Sequence, residues 1–431
     1  MRTQVGIVGA GPAGLMLSHL LHRHGIDSVV LESRSRDHVE HRVRAGVLEQ
    51  GSVDLLCRTG LGERLLREGL RHEGIELRFA GESHRVPMTE LTGRAITVYG
   101  QQEVVKDLIA ARLAAGGTIL FEADVVRLDG LDSSSPVVRY RRDGREEELR
   151  CDFVAGCDGF HGVSRGAVPE GVLTSYERAY PFAWLGVLAA AAPAVQELVY
   201  AHHDRGFALY SMRSPEISRL YLQVAPDEDL AAWPDARIWA ELRARLETVP
   251  GWSLTEGPVL EKSLTPMRSF VVEPMQWERL FLAGDAVHIV PPTGAKGMNL
   301  ALADVALLGD AFAAWYGHGR TDLLAGYSTT ALRRVWRAQH FSWWMTSMLH
   351  RLAHDDPYEA KLQTATLRYA ATSRAYATSL AENYVGCPRS DHLGPAPAEA
   401  QPPTWPPRDT PCRPGAGGSD ATTTQRRSTY S

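Results

Sequence analysis

RLFLAGDAVHIVPPTGAKGMNLALAD, residues 279–304, is the stretch on which the reading of the whole chain turns. Residues 279–283 spell a short buried strand that Gly284-Asp285 closes, and residues 291–297 form a loop, because two prolines and two glycines do not fit inside a helix. Leu300, Ala303, Leu307 and Leu308 then return at helical spacing, so a helix begins near Gly297. The amides of Lys296 to Asn299 lie at that helix mouth, point at whatever fills the loop and attract negative charge. A strand, an acidic turn, a rigid loop and a helix mouth suit a large cofactor with an electron-rich ring. An ordinary strand-loop-helix connection has the same outline, so the decision rests on the rest of the chain.

The N-terminus narrows the choice. Residues 4–8 form an apolar strand, GAGPAG follows at 9–14, and Leu15, Leu17, Leu20 and Leu21 line a helix ending near Gly25. Residues 28–31 form the next strand, closed by Glu32. The glycines permit a tight turn and close approach of a pyrophosphate to the helix N-terminus, and an acid at this distance can hold a ribose hydroxyl. This set points to an adenine dinucleotide, FAD or NAD. Residues 153–155 return to the same sheet, and GCDGFHGVSR, 156–165, leaves it with a second acidic turn, Asp158-Gly159, flanked by His161 and Arg165. Two such turns indicate a long ligand held at several places, which favours FAD.

Between these motifs, SRSRDHVEHRVRAGVLEQG, residues 33–51, carries Arg34, Arg36, His38, His41, Arg42 and Arg44. Arg42 and Arg44 lead into a glycine and a helix and could serve a second phosphorylated ligand, whereas Arg34 and Arg36 read as a solvated loop. Alternation marks strands at 75–79 and 96–99, which interrupt the dinucleotide fold and join a second sheet. Residues 102–115 read as a helix with Val105, Leu108, Ile109 and Leu113 on its apolar side, and Asp143-Gly144 as a hairpin turn between strands 137–140 and 148–149. Strands at 182–188, 197–202, 206–213 and 218–224 form a mainly antiparallel sheet, the natural substrate domain. On it Leu209, Ser211 and Arg213 share a side, as do Arg219, Tyr221 and Gln223. Arg213 and Ser211 beside Tyr210 and Tyr221 would make a carboxylate clamp, or merely a solvent face. Helical patterns cover 299–315, 323–352 and 358–382, with Trp336, Trp343 and Trp344 read as core and interface. From Leu393 the composition turns to Pro, Ala, Gly, Ser and Thr, a disordered tail.

Composition excludes several classes. With 431 residues, 44% of them hydrophobic, the chain can bury a proper core. A net charge of -5 from interspersed charges argues against nucleic-acid binding. The cysteines, Cys57, Cys151, Cys157, Cys387 and Cys412, form no CxxC pair and no metal-ligand spacing, so reduced thiols in a cytoplasmic protein without a metal are expected. The longest apolar stretch, 182–195, is too short to span a bilayer and contains Pro193, so no membrane span is expected.

Taken together, GAGPAG, CDGFHG and GDAVHIVPPTGAKGMN resemble the single-component flavin-dependent aromatic hydroxylases. RAGVLEQG, FAWLG, SMRS, EKS, MRSFVVEPM, FSWWMTS and AENYVG draw the resemblance toward the branch that acts on 4-hydroxybenzoate, over residues 1–387. It implies a mixed α/β fold: a Rossmann-like FAD-binding domain (1–73, 100–179, 268–297) interleaved with an antiparallel-sheet substrate domain (74–99, 180–267), then a helical interface region (298–392) and the tail (393–431). By the same resemblance Gly9, Gly11, Ala13, Gly14 and Glu32 hold the ADP half of FAD. Arg42, Arg44, Val47, Gln101, Asp158, Asp285, Gly297, Met298 and Asn299 take the remainder.

The activity it implies is hydroxylation of 4-hydroxybenzoate at C3 to 3,4-dihydroxybenzoate, with NADPH or NADH reducing FAD and O2 captured as a flavin C4a-hydroperoxide. Another hydroxy- or aminobenzoate is the alternative substrate. Tyr200 and Tyr384 would relay the phenolic proton, with His72 as outlet to solvent and the carbonyl of Pro292 facing the same oxygen. Arg213, Ser211 and Tyr221 would grip the carboxylate, and Trp184, Leu198 and Leu209 would wall the ring. Arg219 would stabilise the inner flavin position. Arg42, Arg44, His161 and Arg268 match positions for the reducing nucleotide, with Arg34 and His38 nearby. Ser33-Arg34 and His38 stand where NADPH-dependent relatives have an Arg-Gln pair and a tyrosine, which leaves NADPH or NADH open. A homodimer is the family expectation.

Overall fold

The computed structural model of the chain describes residues 1–42, 44, 46–351 and 356–386. The tail expected to be disordered, with Cys387 and Cys412, lies outside the described residues.

Val5–Val8 is the middle of a six-stranded sheet and is buried at every position. On one side it pairs in parallel with Ser28–Leu31, which pairs in turn with Thr118–Leu120. On the other side it pairs in parallel with Phe153–Gly156, followed by Leu280–Leu282, and Gln276–Trp277 closes that edge antiparallel. The chain therefore winds outward in both directions from Val5–Val8. The crevice at the carboxyl ends of these strands is the switch point at which parallel α/β sheets bind ligands. Such strands are covered on both faces, which is why they are continuous apolar runs rather than alternating ones.

A second sheet of eight strands runs His288–Ile289, Val259–Glu273, Thr174–Ala189, Ile217–Val224, Ala208–Ser214, Leu198–Ala201, Ile75–Phe79 and Glu82–Val86. Every neighbour is antiparallel except Leu198–Ala201 beside Ile75–Phe79. The strand period of two splits its side chains cleanly. Trp184, Tyr200, Phe207 and Leu209 face the C-terminal helices, whereas Leu185, Val199, Tyr210 and Leu220 face the helix Asp235–Leu246. Thr174–Ala189 and Val259–Glu273 run past the expected limits of the substrate domain at 180 and 267, and over their whole length they pair with each other in the eight-stranded sheet.

Several expectations are corrected. Ile96–Val98 joins neither large sheet. It lies between Val47–Glu49 and Leu70–His72 in a small sheet of its own. Leu113 is exposed, and Val104 takes its place in the core, because the helix Gln101–Ala114 buries a face one position earlier. Tyr210 lies on the far side of the sheet from Ser211, with its hydroxyl on Ser218 and the Ala194 amide. It is therefore no part of a clamp with Arg213. Trp336 and Trp343 are about 40% exposed and so not core. The last two helical patterns are each broken: Asp322–Ala325 and Tyr327–Leu349 meet at Gly326, and Pro357–Thr372 and Arg374–Val385 meet at Ser373, whose hydroxyl caps the second. Among the described residues one helix, Gly297–His318, which the expectation of no membrane span did not consider, is long and apolar enough to cross a membrane, but 67% of its most apolar window is buried inside the protein, as in a core helix.

Phe153 anchors the parallel sheet to this helix, with Phe312 at 5.3 Å and Trp315 at 5.6 Å between ring centres. Fully buried rings lose both transfer free energy and close packing when truncated. Phe153→Ala should cost about 3–5 kcal/mol, read as a lowered unfolding midpoint of the FAD-loaded protein; an unchanged midpoint would remove this anchor.

Candidate active site

Three turns at the carboxyl edge of the parallel sheet build one cleft. In the first, Gly9 has φ +101°, and a side chain on it would come within 2.4 Å of the Cys157 carbonyl oxygen. A Cβ on Gly14 would meet the Gly9 carbonyl at 2.0 Å, whereas Gly11 opens onto free space. The turn is thus closed behind and open in front, at the N-terminus of Pro12–Arg23, whose amides no side chain caps. Ala13, in the first turn of this helix, is buried against the core. Glu32 accepts the Ala10 amide at 2.8 Å and the Arg34 amide at 2.9 Å. Oε1 also receives the Ser33 hydroxyl at 3.4 Å, whereas Oε2, which takes only the Ala10 amide, keeps a second lone pair for a ribose hydroxyl.

In the second turn Asp158 accepts the Ser164 amide through Oδ2, while its buried Oδ1 has no partner. Burial raises its carboxyl above the ordinary range. Arg165 staples this turn to the third, donating to the carbonyls of Phe160 and Ala286. Phe160 in turn lies under Arg268, 3.7 Å from ring centre to guanidinium carbon, with His161 edge-on at 5.0 Å.

In the third turn Asp285 is solvent-accessible, yet protein crowds it enough for desolvation to raise its carboxyl, against the pull of His288, Arg44, Arg42 and Arg268. A side chain both wet and crowded lies in a cleft. Arg44 is in the same state, its guanidinium lowered by desolvation and by Arg42 and supported by Asp285 and Glu261. The structure therefore gathers Arg42, Arg44, Arg268 and Asp285. Arg34 and His38 are exposed; the Arg34 amide is on Glu32 and the His38 amide on the Ser35 hydroxyl. Beneath Asp285, buried His288 pairs with Asp304 at 2.6 Å, and Asp304 also takes the Gly284 amide at 3.0 Å.

The loop and helix after Asp285 lead to the second half of the site. Gly297 borders open space and begins the helix, and Met298 packs partly against the core. Asn299, expected at the cofactor, spends its whole amide on protein: it donates to the Val47 and Ala295 carbonyls and accepts from the Glu49 amide and the Ser52 hydroxyl. Its role here is to tie the helix mouth to residues 47–52. Gln101 opens the helix Gln101–Ala114 and is half-buried.

On the large sheet Ser211 is opposite Arg219 and Leu209 opposite Tyr221, and Trp184 and Gly186 pair with Gln223 and Tyr221, so these side chains share one face. Arg213 donates to the Arg44 carbonyl at 2.9 Å, and its buried Nε has no partner. Ser211 gives its hydroxyl to the Arg219 carbonyl at 2.8 Å. Arg219 is buried over the Tyr221 ring, bonded to Ser263 at 3.3 Å, with Nη1 ion-paired to Glu261 at 3.7 Å and Nε without a hydrogen-bond partner. The unsatisfied Nε of Arg213 is suited to an anionic partner.

At the other end of this face, buried Tyr200 and Tyr384 share a short hydroxyl contact. Burial raises both phenols, so both are neutral and each can donate and accept. Tyr200 donates to the Thr293 carbonyl at 3.3 Å, and the neighbouring Pro292 carbonyl accepts the Ala295 amide at 2.9 Å in a tight turn. Leu198 and Leu209 pack into the same apolar cluster. His72, expected at the solvent, is 1% exposed, and neither ring nitrogen has a partner. Desolvation pushes it down to about 4, so it is neutral at pH 7.

One group was not singled out from the sequence. Buried Glu49 receives Lys296 at 2.6 Å and Arg334 at 2.7 Å, and Lys296 also donates to the Tyr384 carbonyl at 3.0 Å. The available signal was Lys296 itself, a lysine directly before the helix mouth in a chain whose cations are nearly all arginine.

A dinucleotide cradle at the switch point, beside a sheet face carrying arginines at one end and buried hydroxyls at the other, defines a flavoprotein. Residues 2–342 match the FAD binding domain family, and the chain belongs to it. It is 48% identical over 389 residues to the p-hydroxybenzoate hydroxylase of Acinetobacter baylyi, covering 90% of this chain and 96% of that one. It is 28% identical over 331 residues to the rifampicin monooxygenase of Streptomyces venezuelae, covering 73% of this chain and 66% of that one. Among solved structures, p-nitrophenol 4-monooxygenase PnpA of Pseudomonas putida DLL-E4 superposes with a TM-score of 0.73 at 19% identity, over 89% of this chain and 99% of that one, a likeness of fold. The protein is an FAD-dependent monooxygenase with NAD(P)H as its reductant. The open front of the Gly9–Gly14 turn, the unpartnered Asp158 oxygen and the crowded Asp285 fit FAD.

The Glu49 cluster yields a test. Burial alone would raise the Glu49 carboxyl, but Lys296 and Arg334 hold it below its ordinary 4.5 in the folded state. The folded protein thus binds fewer protons there, so the stabilisation is present above 4.5 and lost as pH falls through the depressed folded value. Glu49→Gln should cost about 3–5 kcal/mol at pH 7, by removing the carboxylate that buried Lys296 and half-buried Arg334 share. Its deficit against the wild type should narrow below pH 4.5 in thermal unfolding; a deficit independent of pH would contradict this.

Proposed function

We propose that the chain hydroxylates 4-hydroxybenzoate at C3, giving 3,4-dihydroxybenzoate, with NADPH or NADH and O2. The observation that carries this reading is the buried Tyr200–Tyr384 hydroxyl pair at one end of an apolar face whose other end is Arg213. A ring with a hydroxyl and a carboxylate para to each other is the ligand that meets both ends. The 48% identity to a relative named p-hydroxybenzoate hydroxylase supports the same choice.

Bound FAD supplies the redox chemistry, accepting electrons from NAD(P)H and activating O2 so that one oxygen atom reaches the ring. The chain's own residues prepare the substrate. Arg213, with its unpartnered Nε, would pair with the carboxylate, and Tyr221 and Ser211 border that end. Fixing both ends of the ring fixes which carbon is presented to the oxidant. A phenol is a weaker nucleophile than a phenolate, and a free phenol ionises near ~10, so the site must lower that value. Tyr200 would accept the substrate's proton while passing its own to Tyr384, a relay that neutral hydroxyls perform by rotation without ionising. Buried, neutral His72 has two unsatisfied nitrogens and is the next acceptor in this reading, reached through water. Arg42, Arg44, His161 and Arg268 would receive the charged reductant, with Arg34 and His38 beside the adenosine ribose. The free thiols Cys57, Cys151 and Cys157 suit a reducing, cytoplasmic setting.

The test is turnover of purified FAD-loaded protein with 4-hydroxybenzoate, NADH and NADPH side by side, and chromatographic identification of the product. 3,4-Dihydroxybenzoate formed in step with NAD(P)H oxidation is expected. Tyr200→Phe should lower hydroxylation about 10²–10⁴-fold while binding 4-hydroxybenzoate with little change. Tighter coupling on another hydroxy- or aminobenzoate would replace the proposed substrate, and no hydroxylated product from any benzoate would overturn the reading.

A further inference from the structure

Trp184 packs in the apolar cluster that also holds Leu198, Tyr200, Leu209 and Tyr384, with the Tyr221 ring 4.8 Å away. Its indole N–H donates to Nε2 of His350 at 2.7 Å. His350 is wholly buried, and its Nδ1 lies 3.0 Å from the carbonyl of Thr346 one helical turn back. A carbonyl can only accept, so Nδ1 carries the hydrogen and Nε2 is left as the acceptor. Burial keeps the ring neutral, pushing it down to about 3. Phe182 stacks on the imidazole at 4.5 Å and 11°, and Phe207 covers it at 4.3 Å. The imidazole and indole planes are within 16° of parallel with 5.7 Å between ring centres, compatible with the short N–H···N bond between their edges.

These contacts leave the imidazole no freedom, so the indole it holds has none either. Any other rotamer of Trp184 would strand a buried N–H, which is costly where no water can reach it. The same helical turn also supports the opposite wall. The Thr346 hydroxyl donates to the Thr293 hydroxyl at 2.9 Å, and the Thr293 carbonyl receives Tyr200. Residues 346–350 therefore brace the aromatic wall and the hydroxyl pair against each other.

We propose that His350 is a positioning residue for the aromatic pocket: by holding Trp184 in one rotamer it sets the pocket's width and so decides which ring substitution patterns are admitted. The selectivity part rests on the aromatic-acid function proposed above. His350 touches neither substrate nor cofactor in this role and acts through Trp184 alone.

The experiment is a double-mutant cycle in the FAD-loaded enzyme with His350→Leu, Trp184→Phe and both together. The readout is the ratio of kcat/KM for 4-hydroxybenzoate to that for the same acid carrying a ring methyl. Each single variant should lower this ratio about tenfold, and the double variant should lower it no further. His350→Gln, whose amide oxygen can accept the indole N–H, should recover most of it, which separates loss of the bond from a general defect of folding. Without any substrate, the Trp184 indole 15N–1H resonance, identified by its absence in Trp184→Phe, should move in His350→Leu and stay near its place in His350→Gln. An unmoved resonance, or selectivity losses that add in the double variant, would overturn the proposal. A wild-type enzyme that hydroxylates no benzoate overturns the functional reading instead, and the resonance then still reports whether His350 holds Trp184.

Discussion

A buried carboxylate cannot stand alone, and the arrangement of this molecule around its cofactor cleft follows from that constraint at Glu49. Removed from water, Glu49 needs both Lys296 and Arg334, and the cost of separating the three groups in a dry interior forces three distant segments to meet. Beside it Asn299 closes the same junction with four neutral hydrogen bonds. Lys296 also bonds the Tyr384 carbonyl, so the position of the last described helix, Arg374–Val385, is set by the same junction. Tyr384 is thereby delivered to Tyr200, which comes from a strand of the large sheet. The helix mouth, the rigid loop and the hydroxyl pair are one mechanical unit.

Two electrical environments adjoin on that unit. Around Asp285 the cleft is wet and crowded with Arg42, Arg44 and Arg268, a setting for phosphates and for a charged reductant. Around Tyr200 it is dry, and burial keeps Tyr200, Tyr384, His72 and His350 all neutral at pH 7. A single face of the large sheet serves both, because the period of two puts Trp184, Leu209, Ser211, Arg219 and Tyr221 on the same side. In the proposed function, charge enters at one end of that face and a proton leaves at the other.

Much of this was legible in the sequence, and the limits have physical causes. The glycine turn, Glu32, Asp158, Asp285 and the helix beginning at Gly297 depend on local chemistry, where spacing of a few residues carries the information. Glu49, Lys296 and Arg334 do not: the first two are 247 positions apart, and although Lys296 stands out by its place before the helix mouth, nothing in the sequence names its partners. Tyr384 was reached only through the family resemblance, since nothing in its helix distinguishes it from a packed tyrosine. The misplacement of Tyr210 was avoidable, because strict alternation from Leu209 and Ser211 already puts it on the opposite face. The separate sheet containing Ile96–Val98 was beyond reach, because alternation reveals a strand and not its partner. The exposed Trp336 and Trp343 show the converse limit, in which large apolar residues at helical spacing need not face the core.

Under the proposed function, the chamber around Tyr200 ionises a phenol at neutral pH through neutral tyrosines. Titration of the FAD-loaded enzyme with 4-hydroxybenzoate bound, followed by phenolate absorbance, tests it most directly. Ionisation of the bound ligand near neutrality is expected, well below the ~10 of a free phenol, with return toward the free value in Tyr384→Phe. A ligand still protonated well above neutrality while turnover continues undiminished would contradict it.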